Sequence, residues 1–174
     1  MKNSILENNL SFFKQVLMFR GLNEDQIRTL MKIMHIRTVK QNEIIAKEGA
    51  NEDSLFILLK GEVEITKSLL LPTITDMSGK QEKSLIILTE KQFPFFGEMA
   101  LFDDLPERSA SITALKQGTL VEIQKKDLLK ILDKDTEIAS ILYKNIASVL
   151  TRRLIKSNID IMKLTTAFSL ALEG

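Results

Sequence analysis

Two short fragments of this sequence combine the residue types that recognise a phosphorylated sugar. The first is Gly97-Glu98-Met99-Ala100-Leu101, and the second is Arg108-Ser109-Ala110. Glycine lets the main chain approach a ligand closely, and the start of a helical turn presents backbone N–H groups to an anion. The planar guanidinium of Arg108 can match two phosphate oxygens, whereas an ionised Glu98 only accepts hydrogen bonds and suits a sugar hydroxyl. Together the fragments predict a pocket for a sugar phosphate.

Each fragment alone has a simpler explanation. A Gly-Glu-x-Ala-Leu run is commonly the start of a helix, where Glu98 would stabilise the helix dipole. An Arg-Ser-Ala run can open an exposed strand. The prediction of a ligand site therefore depends on finding both fragments at short spacing inside a segment that reads as β-rich.

The stretch from Phe96 to Leu101, followed by Arg108 to Ser111, resembles the phosphate-binding cassette of cyclic nucleotide-binding domains. Its Pro106-Glu107-Arg108-Ser109-Ala110 is closest in form to the bacterial catabolite activator type, which has Gln-Glu-Arg-Ser-Ala at this place. Regulatory subunits of protein kinase A usually run Pro-Arg directly. The resemblance extends over residues 10–165 and implies a β-roll that binds a cyclic nucleotide.

The resemblance also implies a role for each member of the cassette. Gly97 and the amides of Met99 and Ala100 would line the phosphate and ribose. Glu98 would accept a hydrogen bond from the ribose 2′-hydroxyl, and Arg108 would pair with the exocyclic phosphate oxygens. The resemblance also implies that Ser109 donates to the phosphate and that Ile65 contacts the base. Ala110, which follows Ser109, is the remaining implied contact of the ligand in this segment.

A further triplet, Arg152-Arg153-Leu154, resembles the Arg-Arg-Leu of the catabolite activator's dimer helix. Counting on from it, the resemblance puts Ser157 at the adenine amino group within one subunit, and Asn158 there across the dimer. Ser157 can equally be a tolerated polar residue in an apolar seam. Asn158 can both donate and accept, so it does not exclude guanine. Cyclic AMP is therefore the expected ligand, and cyclic GMP stays open.

Composition argues against several other classes of protein. The 174 residues carry a formal net charge of +1, so no strong field favours DNA or an anionic membrane. Cysteine is absent and His35 is the single histidine, which disfavours a metal-dependent enzyme of the cupin type. No run of about 18 apolar residues predicts a membrane span, and the N-terminus lacks a secretory signal pattern. We expect a cytoplasmic protein without metal or other cofactor.

Periodicity divides the chain into three regions, which we interpret as a single domain over 1–174. Residues 3–34 favour helices, 35–124 favour short strands separated by turn signals, and 125–172 favour helices again. The predicted fold class is α+β, with an antiparallel, jelly-roll-like β-roll flanked by N-terminal helices and a long C-terminal helix. This is the fold that the resemblance implies.

Three local signals accompany this division. Asn23 and Gln26 have the spacing of a capping box at the start of a helix. The hairpin over 69–83 is longer than the catabolite activator's, and its Leu69-Leu70-Leu71 either tucks against the roll or forms a partner surface. The segment Lys91-Gln92-Phe93-Pro94-Phe95 lacks the Gly-Asp turn that the family usually has before the cassette. The entry geometry of the pocket is therefore left open.

The last helix, predicted from near residue 135, carries an apolar seam at alternating four- and three-residue spacing. Its members are Leu150, Leu154, Ser157, Ile161, Leu164, Phe168 and Ala171. Such a seam could pack on the roll, but its length favours a partner helix and hence a homodimer. The catabolite activator continues into a winged helix-turn-helix, whereas this sequence ends at Gly174, so no DNA-binding element is expected.

The sequence thus favours a stand-alone sensor that binds cyclic AMP and signals to an unidentified partner protein through a conformational change, without catalysis. Two alternatives remain. One is an interaction protein on a β-roll whose pocket binds nothing, and the other is a cupin-like enzyme.

Overall fold

The computed structural model describes residues 2–68, 82–102 and 107–173. Its α-helices are α1 (Lys2–Asn8), α2 (Leu10–Phe13), α3 (Glu24–Met31), α4 (Lys125–Leu132) and α5 (Thr136–Glu173). Its strands are β1 (Met34–Val39), β2 (Ile44–Ala46), β3 (Ser54–Lys60), β4 (Glu62–Ser68), β5 (Glu82–Thr89), β6 (Phe95–Phe96), β7 (Ser111–Ala114) and β8 (Gly118–Gln124). Short 3-10 turns lie at Leu17–Phe19, Glu90–Gln92 and Glu98–Leu101.

The strands form two four-stranded sheets with the orders β1-β8-β3-β6 and β2-β7-β4-β5. All described pairs are antiparallel, and Ile65 on β4 lies opposite Ile86 on β5 and Ile112 on β7. Helices precede the roll, and α5 follows it. The predicted α+β class, an antiparallel roll with N-terminal helices and a long C-terminal helix, is confirmed.

Two apolar clusters hold these elements together. One joins the helices to the first sheet and includes Phe13, Ile57 and Leu142, while the other lies between the sheets and includes Phe56 and Val63. Burying one such side chain contributes about 1.5–3 kcal/mol. Because Phe56 and Ile57 are successive residues of β3 that point to opposite faces, this strand fixes the helices relative to the second sheet.

The helix starts follow the sequence signals. The Asn23 side chain accepts from the Gln26 amide, and the Gln26 side chain accepts from the Asn23 amide, each at 2.9 Å, which confirms the capping box. At α5, the Asp135 carboxylate accepts from the amides of Glu137 and Ile138 at 3.1 and 3.0 Å. These side chains satisfy amides that have no partner inside their helix.

The segment before the cassette contains a strand that the sequence analysis did not predict. β6 has two residues and pairs with β3 at Phe56. The chain enters it through Phe93, whose φ of +49° is the left-handed conformation that glycine usually supplies. The Phe93 ring packs edge-on against Phe12 of α2, with centroids 4.9 Å apart, so aromatic packing supports the strained turn.

Helix α5 has a buried half and an exposed half. Ile138, Leu142 and Ile146 lie in the core, and the Asn145 side chain donates to the carbonyls of Met18 and Arg20 at 3.0 and 2.7 Å. From residue 151 onward every described side chain is exposed. Within the described ranges, no helix has the length and hydropathy that crossing a bilayer requires. The predicted Leu69-Leu70-Leu71 surface lies outside the described residues.

Candidate functional site

A cavity of about 620 Å³ lies between the inner face of the second sheet, the turn at Glu98–Leu101 and the middle of α5. Nine of the ten candidate ligand contacts line it: Ile65, Gly97, Glu98, Met99, Ala100, Arg108, Ser109, Ala110 and Ser157. Asn158 does not, because it lines a separate groove on another face of α5. Residues far apart in sequence are thus brought to one cavity.

Gly97 shapes the corner where the cassette begins. Its φ of +81° is in the left-handed region, and a Cβ there would lie 2.8 Å from both Arg108 Nη1 and the Ser54 carbonyl oxygen. Glycine is therefore required for its conformation and for its lack of a side chain. The chain then makes a 3-10 turn, in which the Ala100 amide donates to the Gly97 carbonyl at 3.3 Å.

Glu98 is a buried carboxylate with one oxygen paired. Its side chain is 2% exposed, and Oε1 accepts from Arg153 Nη1 at 2.5 Å. Oε2 is buried and has no hydrogen-bond partner among the described residues. Leaving a buried acceptor unpaired costs about 1–3 kcal/mol, so a hydroxyl donor entering the cavity would be favoured at this atom.

Arg108 is a buried cation whose guanidinium is held from one side. Its side chain is 3% exposed, Nη2 donates to the Ser54 carbonyl at 2.7 Å, and the group lies over the Phe56 ring, 5.3 Å from its centroid. Nη1, beside Gly97, and Nε form no hydrogen bond to the described part of the chain. Burial lowers the pKa of Arg108 and the nearby Glu52 charge opposes that effect.

The cavity thus has one wall on which Glu98 Oε2 lacks a donor and Arg108 Nη1 lacks an acceptor among the described residues. A ligand carrying both an anion and a hydroxyl group would satisfy Arg108 and Glu98 together. Within the described ranges no group of three or more histidine, aspartate and glutamate side chains could hold a metal ion. The arrangement is suited to binding an anionic sugar.

The rest of the cavity combines apolar side chains with charged ones, including Lys67, Lys83, Lys156 and Asp160. Ile65, Ile86 and Leu88 come from the β4–β5 hairpin, and Ile161 and Leu164 face them from α5. Ser157 from α5 is a polar residue on that wall. A flat ring system with polar edges fits such a slot, because apolar side chains cover its faces while a hydroxyl can bond its edge.

Arg153 is the residue that the sequence analysis missed. There it was used only as a reference point for locating Ser157 and Asn158. In the structure its Nη1 donates to Glu98 and its Nη2 donates to the Phe95 carbonyl at 3.1 Å. Its guanidinium lies 5.9 Å from the Phe95 ring centroid. It ties α5 to the cassette. Its place one helical turn before Ser157, on the same face, was the available signal.

Three of the seven residues in the apolar seam predicted on α5 lie on the cavity wall, and none of the seven lines the other groove of this helix. Ser157, Ile161 and Leu164 line the cavity. A second apolar groove lies on another face of the same helix, and its lining residues are Ile155, Asn158, Ile159, Met162, Lys163, Thr166, Ala167 and Leu170. The exposed half of α5 therefore has two apolar faces.

Comparison with known proteins gives a consistent family. The family model described as "Cyclic nucleotide-binding domain" matches residues 36–135, more than half of the chain. Among solved structures, the catabolite activator protein of Thermus thermophilus superposes with a TM-score of 0.71 at 26% identity, over 86% of this chain and 63% of that one.

Two similar proteins are named for different cyclic nucleotides. The human cGMP-dependent protein kinase 2 is 30% identical over 108 residues, 62% of this chain and 13% of that protein. The cAMP-dependent protein kinase regulatory subunit of Yarrowia lipolytica is 30% identical over 112 residues, 63% of this chain and 26% of that protein. This chain thus spans an eighth to a quarter of these relatives' lengths.

Proposed function

The chain belongs to the cyclic nucleotide-binding domain family, and from that premise we propose that it is a cyclic AMP sensor that uses the cavity beside α5. The main support is the pair of buried unpaired atoms, Glu98 Oε2 and Arg108 Nη1, on one wall of that cavity. A 3′,5′-cyclic ribonucleotide carries a matching group for each, since its phosphate is anionic and its 2′-hydroxyl is free.

In this proposal the phosphate lies against Gly97 and Arg108, with Ser109 and the amides of Met99 and Ala100 around it. The 2′-hydroxyl donates to Glu98. The base lies in the apolar slot, where Ile65 contacts it and Ser157 bonds its edge; Ala110 completes the lining. No reaction on the nucleotide is proposed. The ligand acts by binding more tightly to one arrangement of the helices against the roll than to another.

The deciding experiment is calorimetric titration with cyclic AMP and cyclic GMP, with cyclic di-GMP as the control nucleotide. We expect both mononucleotides to bind, cyclic AMP more tightly because the Ser157 hydroxyl can accept from the adenine amino group. Tighter binding of cyclic GMP would reverse the base assignment. Failure of both to bind would overturn the proposal and leave the interaction-protein alternative.

The role of Glu98 has its own test. Replacing it with glutamine should weaken cyclic AMP binding more than binding of 2′-deoxy cyclic AMP, because the analogue has no 2′-hydroxyl to lose. Equal weakening of both ligands would show that Glu98 acts only through its contact with Arg153.

We further propose that each chain forms a single domain and that two copies associate through the exposed half of α5. Leu164→Glu puts a charge into the apolar seam and should loosen the dimer, whereas Ser157→Leu should tighten it while lowering cyclic AMP affinity. Asn158 would then reach the base of the neighbouring copy. Sedimentation velocity with and without cyclic AMP tests this, and a monomer that binds cyclic AMP normally contradicts the dimer. A cytoplasmic location and a downstream partner protein stay predictions.

A further inference from the structure

Arg108 has an acidic neighbour that is not part of the cavity lining. Glu52, in the turn between β2 and β3, places Oε2 3.5 Å from Arg108 Nε. The side chain of Glu52 is 46% exposed, whereas that of Arg108 is 3% exposed. The carboxylate thus approaches the buried cation from the solvent side, on a route separate from the cavity.

The main chain holds Glu52 in this place. The Gly49 amide donates to the Arg108 carbonyl at 2.8 Å, and the Arg108 amide donates to the Ala50 carbonyl at 2.9 Å. Asn51 and Glu107 form an isolated antiparallel bridge between the same two segments. The turn that carries Glu52 and the segment that carries Arg108 are therefore one hydrogen-bonded unit, which keeps the main chain of Glu52 beside Arg108.

This contact is electrostatically unfavourable for an incoming anion. Nη2 is already bonded to the Ser54 carbonyl, and Glu52 faces Nε, so both atoms on that edge of the guanidinium face acceptors. A phosphate at Nη1 would share the single positive charge with Glu52, and the two anions would repel each other. Without a ligand, the same carboxylate stabilises the charged Arg108 against the cost of its burial.

We propose that Glu52 is a built-in competitor of the phosphate, which stabilises Arg108 in the ligand-free protein and lowers its affinity for an anionic nucleotide. The inference rests on the proposed function, because it requires the phosphate to bind at Arg108. Glu52 sets affinity through Arg108, and it is a positioning residue that does not itself contact the ligand.

The test compares Glu52→Gln with the wild type by calorimetry with cyclic AMP and cyclic GMP. Removing a negative charge that faces the same guanidinium should tighten binding of both nucleotides about threefold at low ionic strength. The gain should nearly vanish at about 1 M salt, where the screening length is about 3 Å. A purely structural role would not give this salt dependence. Without nucleotide, the variant should melt at a slightly lower temperature.

Asp53→Asn is the matched control. Its charge also acts on Arg108, but no contact joins the two side chains in the described structure. We expect a smaller gain in affinity from this variant than from Glu52→Gln. Equal gains would overturn the specific role of Glu52 and assign the effect to surface charge in general.

The two proposals can fail separately. Wild-type binding with unchanged or weaker binding by Glu52→Gln overturns the competitor role and leaves the sensor intact. If neither protein binds a cyclic nucleotide at any salt concentration, both proposals are overturned. Binding by both proteins, tighter for Glu52→Gln at low salt, supports both proposals.

Discussion

The two walls of the cavity differ in how they are held. On the roll wall, Glu98 and Arg108 are almost completely buried, and Arg108 is fixed by the Ser54 carbonyl and the ring of Phe56. On the helix wall, Ile161 and Leu164 remain 56% and 62% exposed. The roll wall is preformed, whereas the helix wall depends on a few contacts that bridge it to the roll.

This difference assigns separate tasks to the walls. A preformed polar wall loses little conformational entropy on binding, so it can supply most of the affinity. A helix held by few contacts can change position when a ligand adds new ones, and ligand affinity and helix position then influence each other reciprocally. The predictions below test whether affinity depends on the roll wall and helix order on the helix wall.

The largest effect is expected from Arg108→Ala on the roll wall. Cyclic AMP binding should weaken by about 2–5 kcal/mol, because the phosphate would lose its charged partner. Arg108→Lys should recover only part of this, since a point charge cannot replace the guanidinium. Arg37→Ala is the matched control, because Arg37 pairs with Glu43 at 3.1 Å and does not line the cavity. Unchanged affinity in Arg108→Ala by calorimetry contradicts the pocket assignment.

Gly97→Ala separates crowding from backbone strain. Gly49 has a similar φ of +76° with nothing within 4 Å of an added Cβ, so Gly49→Ala should cost only the left-handed strain of about 1–2 kcal/mol. Gly97→Ala should cost roughly twice that and also weaken nucleotide binding, because its Cβ meets Arg108 and Ser54. Denaturant unfolding of both variants checks this. Equal losses would mean that the corner is not crowded.

Arg153→Gln tests the bridge between the walls. Losing the charged hydrogen bond to Glu98 should reduce the free energy of unfolding by about 1–2 kcal/mol. It should also speed amide hydrogen exchange in α5 beyond residue 150. Arg152→Gln is the control, since its side chain is exposed and no contact ties it to Glu98. If both variants leave exchange unchanged, the exposed half of α5 is held by other contacts.

The smallest effect is expected within the helix wall itself. Ser157→Ala should reduce cyclic AMP affinity by about 0.5–1.5 kcal/mol, the value of one hydrogen bond. Asn158→Ala should leave the affinity of a monomer unchanged, because Asn158 lines the other groove. Titrations at protein concentrations below and above the dissociation constant of the proposed dimer separate the effects of the two substitutions. Equal losses at the lowest concentration would contradict the division of α5 into two faces.

The roll was predictable because its signals are local. Strand alternation and turn signals predicted short strands over 35–124, and the Asn23–Gln26 box predicted the start of α3. β6 was missed because two residues carry no periodicity, and the turn before it uses Phe93 in a conformation that nothing in the sequence signals. The region expected to be helical over 3–34 is divided into separate short helices.

The candidate site was only partly predictable for a related reason. The cassette is a continuous motif, so the sequence named Gly97, Glu98 and Arg108. The pairing of Arg153 with Glu98 joins residues 55 positions apart, and which acceptors and donors stay unpaired depends on how the strands meet. A heptad pattern likewise cannot tell a helix face that lines a cavity from one that meets a partner.

The hydrogen bonds of Asn145 attach α5 to the rest of the domain at a point about which the helix can tilt. They fix the helix to the carbonyls of Met18 and Arg20, and about 28 residues follow, or about 42 Å at 1.5 Å per residue. Arg153 lies only about 12 Å beyond this fulcrum. A tilt of about 10° there would move the helix by about 2 Å at the cassette and about 7 Å at its far end. The cavity thus lies near the point about which α5 would tilt. A displacement of the helix at the cassette is enlarged roughly three- to fourfold at its exposed apolar end.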